Sequence, residues 1–495
     1  MTVTNLTLRD RVLGCFLGKS IGGTLGMPFE GVPDRLSLTY YDPVPTEPAA
    51  NDDLDLQLIW LLMAERHGGS LRHEHFAQAW LDHQAFPPDE YGVALYNLRR
   101  GVMPPLSGTH GNWFVDGMGA AIRSEIWACL CPGRPAAAAS LAWLDATVDH
   151  AGDGVRAEMF LAALQSALFT SPLHDAFDAA LSVLPPGGRL APLLRELLDQ
   201  RRRGVTLDAA REHIFAVADS PNFTDCVLNV GFIVLGLLWG EGEFEGTVLT
   251  AVNCGRDTDC TAATSASCLG IARGPSAFDA RWRAPVGDAI AVSGHLRHLP
   301  MPATIQELTD RVLRLQEKFT SHQPTPQQVR QMPVSFADTQ DDGHALALRA
   351  EAVHEPVLGS PRVPLLGDVG VQRVTSPSLL FDVSRWSEGR PQALMIGTQL
   401  HTLPEDRPAM LMCCADAGVT VWVDGRMVMN HHARRPMVPA FHRTEGGVTV
   451  PVSVQPGRPV DVVVRLYQPL RRCRMVLALG DEGGHLVLGQ RWGAR

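Results

Sequence analysis

Two acidic clusters stand far apart in the chain: Asn51-Asp52-Asp53-Leu54-Asp55 and Gly255-Arg256-Asp257-Thr258-Asp259-Cys260-Thr261. Each runs into a segment that reads as helix, apolar after Asp53 and rich in small residues after Thr261. Carboxylates that dense in such surroundings must be satisfied on folding, because an unpaired buried carboxylate is very costly. A shared hard cation is the simplest partner for both clusters. Oxygen ligands from Asp and Asn suit magnesium, calcium or manganese rather than zinc. The competing reading is two solvated helix N-termini, where Asp is favoured without any ion.

Bulk composition narrows the function classes. The 495 residues leave room for two or three domains. Apolar residues make up 45% and charged residues 19%, as in an ordinary globular protein. The 43 basic residues are outnumbered by 53 acidic ones, and no Lys/Arg run stands out. That argues against nucleic-acid and anionic-membrane partners. The ten cysteines form no Cys-x-x-Cys pair. A reducing cytoplasm is the expected compartment. The N-terminal apolar stretch is broken by Lys19 and several glycines, unlike a signal peptide, and no run of ~20 apolar residues follows.

The elements that must position these residues change texture along the chain. Up to about residue 320 the pattern is helical. Thr7-Leu8-Arg9-Asp10 has the shape of a capping box with Asp in place of Glu, and Val12, Leu13, Phe16 and Leu17 follow at helical spacing. Gly14, Gly18, Gly22 and Gly26 recur every four residues and leave one helix face bare. Tight helix packing is the stronger reading of that stripe, ahead of ligand contact. Further helices are expected near 53–67, 71–83, 118–129, 135–148, 155–169, 190–203, 207–217, 227–240, 244–254, 260–272 and 304–318. The polar, proline-bearing stretch from Ser321 to Gln328 reads as a linker. Beyond it Val419–Val423 alternates into the hairpin signal Asp424-Gly425. Residues 460–466, 475–479 and 485–488 read as further strands. The expected division is a helical domain 1–320, a linker 321–345 and an antiparallel β-sandwich 346–495.

Four motifs add a resemblance. They are Gly14-Cys15-Phe16-Leu17-Gly18 through Gly26-Met27-Pro28-Phe29-Glu30; Asn51-Asp52-Asp53; Gly117-Met118-Gly119-Ala120-Ala121-Ile122-Arg123; and Asp257-Thr258-Asp259 with Ala262-Ala263. In this order they resemble the ADP-ribosylglycohydrolase family, all-α dinuclear-metal hydrolases of the dinitrogenase-reductase-activating glycohydrolase type, over about residues 8–275. The stretches Gly119–Trp127 and His150-Ala151-Gly152-Asp153-Gly154 look most like a less-studied branch with a longer middle region.

The resemblance implies an all-α orthogonal bundle carrying a metal-dependent hydrolase of ribosyl or ADP-ribosyl linkages. It implies one or two Mg2+ ions, with Mn2+ or Ca2+ as other hard ions. The implied metal ligands are Asn51, Asp52, Asp53, Asp257, Asp259 and Thr261. Glu30 is the implied general acid or base, and Asp259 the bridging catalytic carboxylate. Gly117, Gly119, His150 and Asp153 are the implied substrate contacts, and the substrate is a small molecule or an ADP-ribosylated one.

Three positions depart from the pattern. Gly23 stands where the family has Asp, and Asn51 and Cys260 each stand for a metal-binding Thr. The departures keep two other readings open: a glycoside or nucleoside hydrolase acting on a small sugar conjugate, and a non-catalytic ADP-ribose or glycan binder. Residues 420–467 look like ancillary sandwich modules of carbohydrate-active enzymes.

Overall fold

The structure is a computed structural model that describes residues 6–87, 89–322, 344–351, 371–387, 393–401, 407–431, 437 and 449–494. The chain divides into two compact units. The first comprises Met1–Phe86, Met103–Thr109 and Phe114–Arg330, and the second Pro87–Val102, His110–Trp113 and Gln331–Arg495. Most of the expected linker, 321–345, lies outside the described residues.

The first unit is helical, and one helix pair organises it. The glycine helix, Leu8–Gly26, starts on the expected capping box. The Thr7 hydroxyl accepts from the Asp10 amide at 3.1 Å, and the Asp10 carboxylate accepts from the Thr7 amide at 2.9 Å. Its partner is the Thr258–Arg273 helix, which runs antiparallel to it. Gly14, Gly18, Gly22 and Gly26 face Gly270, Ala266, Ala262 and Thr258, a small residue at each step. A Cβ added at any of the four glycines would fall closer than 3.0 Å to the facing carbonyl oxygen. The stripe therefore packs backbone on backbone.

Several other helices are buried on nearly every face, among them Gly152–Leu168 and Cys226–Trp239. Such helices need no polar side and fill the interior. Most helices stand near their expected places. The Leu173–Ser182 helix was not anticipated. The stretch expected at 118–129 divides into a 3-10 turn at Ala121–Arg123 and a short helix at Glu125–Leu130. Among the described residues no helix is long and apolar enough to cross a membrane.

The second unit is an antiparallel sandwich. Its strands are β1 His344–Glu351, β2 Gln372–Ser376, β3 Leu380–Asp382, β4 Ala393–His401, β5 Arg407–Ala415, β6 Gly418–Val423, β7 Arg426–His431, β8 Thr449–Val454, β9 Val460–Tyr467, β10 Arg474–Gly480 and β11 Arg491–Ala494. One sheet has the order β2-β1-β4-β9-β6-β7, with β11 also paired to β4. The other has the order β3-β10-β5-β8. Inward-facing residues of both sheets, such as Ile396, Val464, Leu411 and Leu477, share one apolar core.

The hairpin at Asp424-Gly425 joins β6 and β7, with both turn residues at positive φ (45° and 82°) as a two-residue hairpin turn demands. The expected strand 485–488 is not one. Leu486 makes only an isolated bridge to Gly480, because Gly484 and Gly489 both take positive φ and turn the chain on either side of it. An unanticipated helix, Asp89–Arg99, belongs to this unit, and its Val93 and Tyr96 lie in the sandwich core.

The helix contact makes a direct prediction. Ala is favoured over Gly in a free helix by about 1 kcal/mol. Gly22→Ala should nevertheless destabilise the full chain by more than about 2 kcal/mol in chemical denaturation, because the added methyl overpacks a closed contact. Gly294→Ala, where no atom lies within 4 Å of the new methyl, should be neutral. Equal stability of the two variants would show that the helices do not approach this closely.

Candidate metal centre

The antiparallel helix pair sets the end of one helix beside the start of the other. Gly26 abuts Thr258, and the Thr258 hydroxyl donates to the Gly26 carbonyl at 2.8 Å. Beyond Gly26 the chain makes a 3-10 turn, Met27–Phe29, with Pro28 near its start, and reaches Glu30. Backbone bonds then fasten this loop to the second acidic cluster. The Gly31 amide donates to the Arg256 carbonyl at 2.8 Å, and the Arg256 amide donates to the Val32 carbonyl at 2.7 Å. Glu30 is thereby held opposite Asp257 and Asp259. One carboxylate oxygen from each of the three lies within 4.8 Å of the others.

Asp257 and Asp259 are buried, whereas Glu30 is exposed. Among the described residues, Asp257 Oδ2 and Asp259 Oδ1 are buried without a hydrogen-bond partner. Burial and the neighbouring Asp259 and Glu30 charges push the Asp257 carboxyl well above its ordinary range. Burial, Glu30 and Asp53 push Asp259 up to about 7. The pocket is short of positive charge and offers hard oxygen donors. A hard divalent ion, with bonds of about 2.0–2.6 Å, fits that donor set.

The first cluster joins the same place from another helix. Asn51 caps the Asp52–His67 helix, its Oδ1 accepting from the Asp53 amide at 2.7 Å. Its Nδ2 donates to Asp259 Oδ2 at 3.2 Å. Asp53, Asp259 and the Cys260 thiol form a second close trio, again with ligand atoms within 4.8 Å. The Cys260 thiol lies 3.4 Å from Asp53 Oδ2 and donates to it. Asp52 is half-buried at the first turn of its helix. The Thr261 hydroxyl donates to the Thr258 carbonyl at 3.2 Å, within its own helix.

A buried cation sits behind Asp53. Lys19, on the glycine helix, places Nζ 2.8 Å from Asp53 Oδ1, 3.1 Å from Glu125 Oε1 and 3.3 Å from Thr264 Oγ1. Gln57 adds a bond to Glu125 at 3.0 Å. Burial works against the charge on Lys19, but Asp53 and Glu125 outweigh it and hold the ammonium above its usual range. Sequence reasoning alone gives Lys19 no role in the site. Its signal was an isolated ammonium in a helix of glycines and apolar residues.

The four residues expected to touch substrate are each held by contacts within the helical unit. The Gly117 amide donates to the Phe114 carbonyl at 3.0 Å, and the Gly119 carbonyl accepts from Arg123 at 2.8 Å. His150 is buried with Nδ1 3.0 Å from Asp149 Oδ1. Asp149 in turn pairs with Arg123 through both oxygens, at 2.7 and 2.9 Å. Burial would raise the Asp149 carboxyl, but Arg123 and His150 reverse this and hold it at about 2. Asp153 accepts from the Arg189 and Leu190 amides at 2.8 and 3.4 Å, at the start of the Leu190–Arg202 helix.

Arg189, which sequence reasoning missed, ties this region together. It contacts Asp225 at 2.9 Å, Asp116 at 3.7 Å and Asp153 at 3.9 Å. Asp225 caps the Cys226–Trp239 helix, and Asn229 of that helix accepts from the Asp257 amide at 3.3 Å. One capped helix thus links the Arg189 cluster to the acidic trio.

The electrostatics predict a pH trend. Asp259 takes up its proton near pH 7 when folded but only near 4 in an unfolded chain. The folded state therefore binds more protons between these values, and stability rises as pH falls through that window. In chelator, the melting temperature should rise from pH 8 to pH 6. A fall over the same range, at fixed ionic strength, would contradict these raised carboxyl values.

No curated protein matches the chain. Among solved structures, one titled an ADP-ribosylglycohydrolase-related protein complex is similar at 20% identity and a TM-score of 0.43, covering 63% of this chain and 99% of that one. Two structures of β-glucosidase from Kluyveromyces marxianus, one selenomethionine-labelled and one with glucose, are similar at 8% and 10% identity, with TM-scores of 0.21 and 0.20. They cover 28% and 30% of this chain and 16% and 17% of their own chains. The model of the ADP-ribosylglycohydrolases matches residues 4–322, more than half of the sequence. The chain belongs to the ADP-ribosylglycohydrolase family.

Proposed function

We propose that the chain is a metal-dependent hydrolase of a ribosyl or ADP-ribosyl glycosidic linkage. The family is hydrolytic and acts on ADP-ribose linkages, which supports the reaction class. The observation that carries the metal is the pair of buried, unpartnered oxygens on Asp257 and Asp259, two residues whose carboxylates gather with that of Glu30. A hard divalent ion held there would supply positive charge for binding sugar hydroxyls and for acidifying a water. Magnesium, manganese and calcium share that chemistry. Asp257 and Asp259, both buried, would hold the ion. Glu30, exposed at the mouth, takes the proton from the attacking water and returns it to the leaving group. Asn51 orients Asp259 through its amide, and Asp52 and Asp53 add negative charge to the same wall. All ten cysteines are buried, as suits thiols kept reduced in a cytoplasmic setting.

Turnover should be assayed on ADP-ribosylated peptides, ADP-ribose derivatives, nucleosides and aryl glycosides, with Mg2+ and with chelator. The expected result is hydrolysis of a ribosyl compound that stops in chelator. Retained ligand binding with no turnover under any divalent ion would contradict the enzyme reading.

Asp259→Ala should abolish activity. Its melting temperature should fall further below wild type in Mg2+ than in chelator, because an ion that binds only the folded state stabilises it by mass action. Equal losses in both buffers would make Asp259 purely structural.

A vicinal diol can chelate a hard ion and fix the anomeric carbon against the water. Removing the 2- or 3-hydroxyl of the sugar should therefore cost much more turnover than changing the leaving group. Unchanged turnover for both deoxy analogues would show that the ion does not grip the sugar.

A further inference from the structure

We infer that this centre takes one divalent ion, at Glu30, Asp257 and Asp259, and that the Lys19 ammonium is a built-in cation standing where a second ion would otherwise bind. The inference rests on the metal-dependent reading above and goes beyond it by fixing the number of ions and which trio holds the one.

Two trios converge on Asp259, and they differ in one respect. In the Asp53, Asp259 and Cys260 trio, every polar atom but Asp259 Oδ1 is already committed. Asp53 Oδ1 is paired with Lys19 at 2.8 Å, and Asp53 Oδ2 accepts the Cys260 thiol at 3.4 Å. Asp259 Oδ2 accepts from Asn51 Nδ2 at 3.2 Å. The Asn51 amide cannot turn its oxygen inward, because Oδ1 is spent on the Asp53 amide at 2.7 Å in the helix cap. Lys19 spends its three N–H donors on Asp53, Glu125 and Thr264, so its position is fixed. The Cys260 sulfur is also a poor ligand for a hard ion.

The other trio is the reverse. Asp257 Oδ2 and Asp259 Oδ1 are at least nine-tenths buried and lack a hydrogen-bond partner among the described residues. Their ligand set is oxygen only. Position 23 strengthens the asymmetry. A Cβ at Gly23, one turn along the helix from Lys19, would lie 2.9 Å from Asn51 Nδ2. This is the point from which a further carboxylate could reach the first trio, and the residue there has no side chain.

The test is ion stoichiometry on the full chain, stripped with chelator and titrated with Mn2+ by calorimetry and electron paramagnetic resonance. The expected result is one ion per chain with a mononuclear six-line spectrum. Two ions per chain with an exchange-coupled spectrum would overturn this inference and leave metal dependence standing. No bound ion would overturn both.

Asp53→Asn should keep the ion, with a loss of affinity far smaller than that of Asp257→Asn, because it removes a nearby charge but no ligand. Asp257→Asn should weaken it by more than the roughly 10- to 100-fold lost when only a ligand's supporting hydrogen bond is removed. Loss of the ion in Asp53→Asn would place the ion in the wrong trio here. Lys19→Met should gain a second ion, and a folded Lys19→Met that still binds only one would overturn the role given to Lys19. If that variant does not fold, the wild-type count decides.

Discussion

The close approach of the Leu8–Gly26 and Thr258–Arg273 helices is the constraint on which the rest of the first unit depends. Four glycines on one helix meet a ladder of small residues on the other, with carbonyl oxygens where side chains would be. Because the helices are antiparallel, the end of one meets the start of the other. The chain leaving Gly26 has only a 3-10 turn to make before Glu30, and backbone bonds to Arg256 hold it there. Side-chain packing would leave several ångströms of latitude at that junction, whereas backbone contact removes it. The acidic trio is thus a consequence of helix packing.

Charge is distributed unevenly around this junction. Lys19 neutralises Asp53 and Glu125 within the interior, and Arg123 neutralises Asp145 and Asp149. Buried pairs of this kind add little net stability, but losing one partner strands a charge at a cost of about 3–5 kcal/mol. Among the described residues, Asp257 and Asp259 have no such internal cation. Their burial beside one another is a standing cost, and proteins keep such costs mainly where function needs them. The contrast between these paired acids and the buried, unpartnered oxygens of Asp257 and Asp259 sets the acidic trio apart from the scaffold.

Much of this was legible in the sequence. The glycine stripe, the capping box at Thr7 and Asp10, and the two acidic clusters are local patterns with local causes. The hairpin at Asp424-Gly425 is another. The convergence of Glu30, Asp53, Asp257 and Asp259 followed from the family motifs. What escaped was tertiary. The partner of Lys19 lies in three distant segments, and no spacing rule announces that Thr264 and Glu125 will meet it. Arg189 looks like a surface residue until the fold brings Asp116 and Asp225 to it. The Asp89–Arg99 helix hides behind Gly92 and two prolines, and its apolar face is explained only by a sandwich core encoded far downstream.

The most direct test of the account is anomalous diffraction from crystals soaked in manganese. The account predicts a peak within about 2.0–2.6 Å of both Asp257 Oδ2 and Asp259 Oδ1, on the side facing Glu30. A well-ordered site with no peak there, or a peak bound only by Asp52 and Asp53, would contradict it.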